Sequence, residues 1–155
     1  EVVQQRIKKY YKRNSVIIYP LFDIATHNID KISPTSNKKN GKYFLFFSRL
    51  EKQKGAEPVI KTCTKHNIPL VVMGAGSQEK YLKKIAGKTI FFTGFVSQEQ
   101  KVRIFKHTKA LIYASIDEDF GMVIPEVASY GIPIIYYNSE IFKKILKTKD
   151  NKWKF

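Results

Sequence analysis

Residues 43–76 read YFLFFSRLEKQKGAEPVIKTCTKHNIPLVVMGAG, two short apolar runs enclosing a helix-length polar segment. Each run is too short for a helix and rich in aromatic or branched residues, so 43–48 and 69–73 read as buried strands. Between them Val59, Ile60 and Cys63 recur at helical spacing, which predicts a helix over 54–66. Outward from this unit the rhythm repeats. Residues 88–93, 109–114 and 132–137 read as strands, and 77–86, 97–107, 122–130 and 139–146 as helices. Ser97 with Gln100 makes a capping box, while Gly87 and Gly131 mark two helix ends. Strands alternating with helices imply right-handed crossovers and a parallel sheet covered on both faces. The expected fold is therefore α/β, a Rossmann-like doubly wound sheet flanked by helices.

In such a sheet a ligand sits beyond the carboxyl ends of the strands. The loops expected there carry Arg49, Lys52, Lys54 and Gly55, then Gly74 to Gly76, then Gly94 to Val96, and finally an acidic turn. That turn lies in the stretch 116–133, IDEDFGMVIPEVASYGIP, with Glu118 and Glu126 on either side of a Phe-Gly step. Pro125 fits only the first turn of a helix, so a helix begins near Gly121 or Met122. Side chains lean toward a helix's amino end, which lets Glu126 and Glu118 border one pocket. The amides of Gly121, Met122 and Val123 at the helix start favour an anion such as a phosphate. A phosphate flanked by two hydroxyl-seeking carboxylates suggests a sugar nucleotide. The other reading of these residues is a solvated acidic loop with Phe120 as a core plug. Arg49 and Lys54, at a strand's end and the next helix's start, can clamp a diphosphate from the opposite side. They would stabilise a departing nucleoside diphosphate as its charge grows.

Composition narrows the field. The chain has 155 residues, enough for one domain with a core and too few for two full doubly wound domains. With 43% hydrophobic and 14% aromatic residues it is not a disordered chain. Its one cysteine, Cys63, excludes an internal disulfide and a thiolate zinc cage, and reads as a buried structural thiol. His27, His66 and His107 are dispersed, so no metal site is expected. No apolar run approaches the roughly twenty residues that span a bilayer, and a cytoplasmic setting is expected. The net charge of +15 is spread along the whole length, which reads as solvated helix faces more than as a nucleic-acid surface. Peripheral contact with an anionic membrane is compatible with it. GAGSQE lacks the third glycine of a dinucleotide fingerprint, because Glu79 stands there. Asp117-Glu118-Asp119 spells an Asp-x-Asp triplet that could hold a divalent cation, but the adjoining helix start already supplies an anion site. Nothing supports Glu118 and Glu126 as a glycosidase acid and base pair.

FFSRLEKQKG, VVMGAG, FFTGFVSQEQ and ASIDEDFGMVIPEVASYGIP, in this order and spacing, resemble the C-terminal, nucleotide-binding half of family-4 retaining glycosyltransferases of the GT-B fold. RIKKYYKRNSVIIYP also resembles the segment by which those enzymes lead into that half, so the likeness covers nearly the whole chain. It implies that Arg49 and Lys54 bind the donor diphosphate, that Gly121, Met122 and Val123 offer amides to it, and that Glu126 holds the ribose hydroxyls. Glu118 would contact the transferred sugar, Val96 and Lys101 would border the base, and Gly74 and Phe120 would complete the donor site. The DEDFG and VIIYP wording looks most like the mannosyltransferase branch, which implies GDP-mannose as donor, with a UDP-sugar as the alternative. The family needs no metal or other cofactor, and the donor phosphate is thought to accept the acceptor's proton.

Residues 1–42 then read as a lead-in helix, a short strand at 16–19 and a polar linker over 23–41. Residues 43–155 read as the donor-binding domain, shortened at its C-terminal end. Leu21-Phe22-Asp23 departs from the proline-valine-aspartate often found after the lead-in strand. The glycan or lipid-linked acceptor would be held by an N-terminal domain that this sequence does not contain. Two other functions stay open at this point: a non-catalytic nucleotide-binding or scaffold subunit that partners a transferase, and a basic nucleic-acid-binding α/β domain.

Overall fold

In the computed structural model, which describes residues 2–18, 41–116 and 121–136, the five apolar runs become the five strands of one parallel sheet. The chain runs from helix α1 (Val2–Tyr11) to β1 (Tyr43–Phe47), a 3-10 turn at Lys52–Lys54, α2 (Ala56–Lys65) and β2 (Leu70–Met73). It continues through α3 (Glu79–Ile85), β3 (Ile90–Gly94), α4 (Gln98–Lys106), β4 (Thr108–Tyr113), α5 (Val123–Ser129) and β5 (Ile134–Tyr136). The strand order is β3-β2-β1-β4-β5. Winding thus proceeds outward from β1 through β2 to β3, then returns to lay β4 against the other side of β1, and the switch of direction falls between β1 and β4.

Side chains that alternate along each strand build two cores. Leu45, Val71, Met73, Leu111 and Tyr113 face Phe105 of α4 and Ile124 and Val127 of α5. Phe46, Leu70 and Val72 point the other way, onto Val59, Ile60 and Cys63 of α2 and Leu82 of α3. Burying each large aliphatic or aromatic side chain in these layers is favourable by about 1.5–3 kcal/mol, and the three central strands are covered on both faces. Cys63 is buried, and that burial pushes its thiol pKa up, which suits a packing role and not a nucleophile.

Helix ends follow local chemistry. The Ser97 hydroxyl accepts from the Gln100 amide at 3.2 Å and the Gln100 side chain accepts from the Ser97 amide at 2.8 Å, completing the expected capping box. Gly131, at φ 67°, follows α5 in the left-handed conformation and donates to the Ala128 carbonyl at 2.9 Å. Gly87 follows the α3 C-cap, Ala86, at the expected helix end, and has a further task there. Its amide donates to the Thr64 hydroxyl at 2.9 Å, and a Cβ there would lie 2.8 Å from the Thr64 methyl, so the residue is small in order to let α2 approach. The α2–β2 turn reverses through Asn67 at φ 51°, an exposed position at the amino end of β2.

The lead-in differs from expectation in one respect. Helix α1 forms and ends at Lys12, φ 55°, but residues 16–18 are not a strand. Val16 and Ile18 are each 87% exposed, and no described strand pairs with them. A strand's apolar side chains and amides need a neighbouring strand to cover and pair them, so the apolar pattern alone is insufficient. Tyr19, the linker to residue 40 and the helix expected over 139–146 lie outside the described residues.

Candidate functional site

At the carboxyl ends of β1 to β4 the sheet opens into a crevice of about 540 Å³, a size that suits a small organic ligand. Its shape follows from four glycines or glycine-led turns. Gly74 at φ 122° follows β2, and a Cβ there would stand 2.1 Å from the Ser48 carbonyl oxygen. Gly55 at φ 72° precedes α2, where a Cβ would stand 2.3 Å from the Ala114 carbonyl oxygen. Gly94 and Gly121, at φ 66° and 72°, turn the chain out of β3 and into the start of α5. Only glycine meets the conformational and spatial demands at Gly55 and Gly74 together.

The loops after β1 and β2 are laced by their backbones. Ser48 donates to Met73 at 3.2 Å, Leu50 to Ala75 at 2.9 Å and Gln78 to Leu50 at 2.9 Å. Glu51 closes the lacing: its carboxylate accepts from the Ser77 amide at 3.1 Å and the Ser77 hydroxyl at 2.6 Å. Those two hydrogen bonds, with a smaller contribution from the Arg49 charge, hold the Glu51 carboxyl below its ordinary pKa. The Gly74 amide donates to the Gly94 carbonyl at 3.0 Å, which ties the third loop to the second.

Arg49 and Lys54 project from this laced edge and line the crevice with Ser48, Gly74 and Ala75. Across from them stand Val96 and Lys101 from the β3–α4 side and Gly121, Met122 and Val123 at the start of α5. Eight of the expected site residues thus meet at one crevice: Arg49, Lys54, Gly74, Val96, Lys101, Gly121, Met122 and Val123. Glu118 and Phe120 lie outside the described residues. Three cations line the crevice, and among the described residues no carboxylate does.

Glu126 stands on α5 behind Lys101. It is not among the described lining residues, and its carboxylate takes a hydrogen bond and ion pair from the Lys101 ammonium, which does line the crevice. Both side chains are mostly buried, 18% exposed for Lys101 and 16% for Glu126. One helical turn further along each helix, Phe105 and Tyr130 meet edge-on at 4.9 Å between ring centres. Lys101 and Phe105 are four apart on α4, as are Glu126 on α5 and Tyr130 at its C-cap, so the two helices meet in two successive layers, ionic then aromatic. Phe47 completes the stack, 6.3 Å from Phe105 and 5.9 Å from the Lys101 ammonium. Burial, and then the neighbouring Glu126 charge, push the Tyr130 phenol pKa up.

Sequence reasoning did not single out Phe47, Met73 and Tyr113, which form the apolar floor. Each ends or nearly ends its strand, and that position was the available signal. Phe95 lies at the rim, 88% exposed. No described helix is long and apolar enough to cross a membrane, and no group of three or more His, Cys, Asp or Glu among the described residues could hold a metal ion.

A parallel sheet of this order, with a crevice where the winding reverses, defines a doubly wound α/β domain with its ligand-binding position at that switch. Residues 28–155 match the model of the family described as glycosyl transferases group 1, and the chain belongs to that family. It is 27% identical to the D-rhamnosyltransferase WbpZ of Pseudomonas aeruginosa, a likeness covering 87% of this chain and 37% of that protein. A GDP-mannose-dependent alpha-mannosyltransferase of Corynebacterium glutamicum is 29% identical over 58% of this chain and 22% of its own length. The pneumococcal O-GlcNAc transferase GtfA, solved in complex with UDP and GlcNAc, shares the fold with a TM-score of 0.62 at 20% identity, covering 88% of this chain and 28% of that one. Structural neighbours of this chain are GT-B glycosyltransferases. The chain spans well under half the length of the relatives it matches.

Proposed function

We propose that this chain supplies the nucleotide-sugar donor site, the C-terminal half, of a family-4 retaining hexosyltransferase. The observation that carries the reading is the crevice at the β1/β4 switch, with Arg49 and Lys54 on one wall and Val96, Lys101 and the start of α5 on the other. Arg49 and Lys54 hold the donor diphosphate and take up the charge that grows on it as the glycosidic bond breaks. Their charges do the work that a divalent cation does in other transferases, so the donor is bound without metal or cofactor. Glu118 contacts the transferred sugar, Glu126 the ribose, and Val96 with Lys101 the base. The donor phosphate accepts the acceptor's proton, and configuration is retained.

GDP-mannose is the favoured donor, in keeping with the mannosyl and rhamnosyl names of the relatives and with the DEDFG wording; a UDP-sugar is the alternative. The acceptor, a glycan or lipid-linked sugar, is held by a separate N-terminal domain at the cytoplasmic face of a membrane. The spread of basic residues supports peripheral contact with anionic lipid there. Calorimetric titration with GDP, UDP and ADP, with and without a chelator, tests the donor site. GDP binding unaffected by the chelator is expected. Replacing exposed Arg49 by Ala should weaken it about 10- to 100-fold, the worth of a charge-assisted contact, with the thermal midpoint unchanged. If none of the three nucleotides binds, the reading is wrong.

A further inference from the structure

Glu51 is the nearest carboxylate in sequence to Arg49, yet its side chain is held elsewhere. Arg49 is exposed, Leu50 is fully buried and Glu51 is half-buried, and Glu51 has the extended angles φ -107° and ψ 153°. That alternation is the pattern of an extended chain, in which residues two apart fall on the same side with Cα atoms about 7 Å from each other. The Arg49 charge acts on the Glu51 carboxyl, as it must between such neighbours. Glu51 is nevertheless turned onto the loop after β2, where Oε1 accepts from the Ser77 amide at 3.1 Å and Oε2 from the Ser77 hydroxyl at 2.6 Å. Both oxygens are thus engaged, and the hydroxyl has the larger effect on the carboxyl. Ser77 itself is a fixed point, because Ala75 and Gln78 on either side of it are both bonded to the backbone of Leu50 at 2.9 Å. Among the described residues no carboxylate pairs with the Arg49 guanidinium, which lines the crevice.

We infer that Ser77 is a decoy partner that keeps the Glu51 carboxylate off Arg49, so that the guanidinium stays open to the donor diphosphate. The inference rests on the nucleotide-sugar reading and adds to it two positioning residues, neither of which touches the donor. Without the hydroxyl, Glu51 retains one hydrogen bond from the Ser77 amide, set against the five N–H groups and full charge of a guanidinium two residues away. The carboxylate then turns to Arg49, competes with the diphosphate for it and repels the incoming anion.

The experiment measures GDP affinity by calorimetry for wild type, Ser77→Ala, Ser77→Thr, Glu51→Gln and the Ser77→Ala/Glu51→Gln double variant, at low ionic strength, where competition between exposed charges is strongest. Circular dichroism verifies that each variant is folded. Ser77→Ala should weaken binding about fivefold, the scale of one exposed ion pair formed in competition. Ser77→Thr keeps the hydroxyl and Glu51→Gln has no charge to offer Arg49, so each should stay within about twofold of wild type. The double variant should also return to within about twofold, the second substitution restoring what the first removed. A clasp that merely supported the loop would behave otherwise, leaving the double variant as weak as Ser77→Ala or weaker. That result, or unchanged binding by Ser77→Ala, would overturn the inference and leave the donor-site reading standing. Failure of wild type to bind GDP would overturn both.

Discussion

On the β1–β2 side of the crevice the chain is fastened by its backbone, whereas on the α4–α5 side it is fastened by side chains. The first wall rests on amide-to-carbonyl bonds at Ser48, Leu50 and Gln78 and on glycines that let neighbouring loops nearly touch. The second rests on an ion pair over an aromatic stack. A diphosphate is the same in every nucleotide, so a wall built from an invariant backbone suits it. Base and sugar differ between donors, and a wall made of exchangeable side chains can be retuned without disturbing the sheet. On the proposed reading, diphosphate binding and donor choice then rest on different physical supports.

Substitutions can break this contrast. Phe105→Ala removes the ring that joins Phe47 to Tyr130 and should cost about 4 kcal/mol in urea unfolding, the usual scale for emptying an aromatic core position. GDP binding by the remaining folded protein should fall far less than unfolding stability does, because Arg49 and Lys54 stay on their laced edge. Gly74→Ala should cost about 3 kcal/mol, since φ 122° is strained for a side chain and the new Cβ meets the Ser48 carbonyl. Its signature is the converse: affinity for GDP drops together with stability, because Ser48 can move only by carrying Arg49 with it. If Gly74→Ala left affinity intact while Phe105→Ala abolished it, the contrast between the walls would be reversed.

The smallest effect concerns the exposed clasp at Glu51. Its folded pKa is depressed, so its contribution to stability is present above the ordinary carboxylate range and is lost as pH falls through the depressed value. Glu51→Gln should therefore be slightly less stable than wild type at pH 7, and the two should converge in acid below about pH 4. Thermal melts across that range check the sign, and a gap that widened in acid would exclude the clasp as a stabilising contact.

What could be read from the sequence follows from how local each feature is. The five strands were legible because an apolar run bounded by turn residues is a local statement, and their ends fell within two residues of the expected positions. The Ser97 capping box spans three residues and was equally plain. Placing Arg49, Lys54, Gly74, Val96 and Gly121 in one crevice needed only the rule that ligands meet the carboxyl ends of parallel strands. The Lys101–Glu126 pairing was hidden because its partners lie on different helices, and only the packing of α4 on α5 brings them together. The same holds for Gly87, whose reason for being small is Thr64 on another helix. The strand expected over 16–19 shows the opposite error: a correct local pattern with no described partner to complete it.

The α2–β2 turn at Asn67 lies at the far end of the sheet from the crevice, exposed and already in the left-handed conformation that glycine prefers. It is therefore a natural point of attachment. A fluorophore, an affinity tag or an inserted flexible peptide anchored there would leave the nucleotide-facing edge turned away from any solid support. Immobilised by that turn, the domain would present Arg49 and Lys54 outward, ready for measuring the association of sugar nucleotides at a surface.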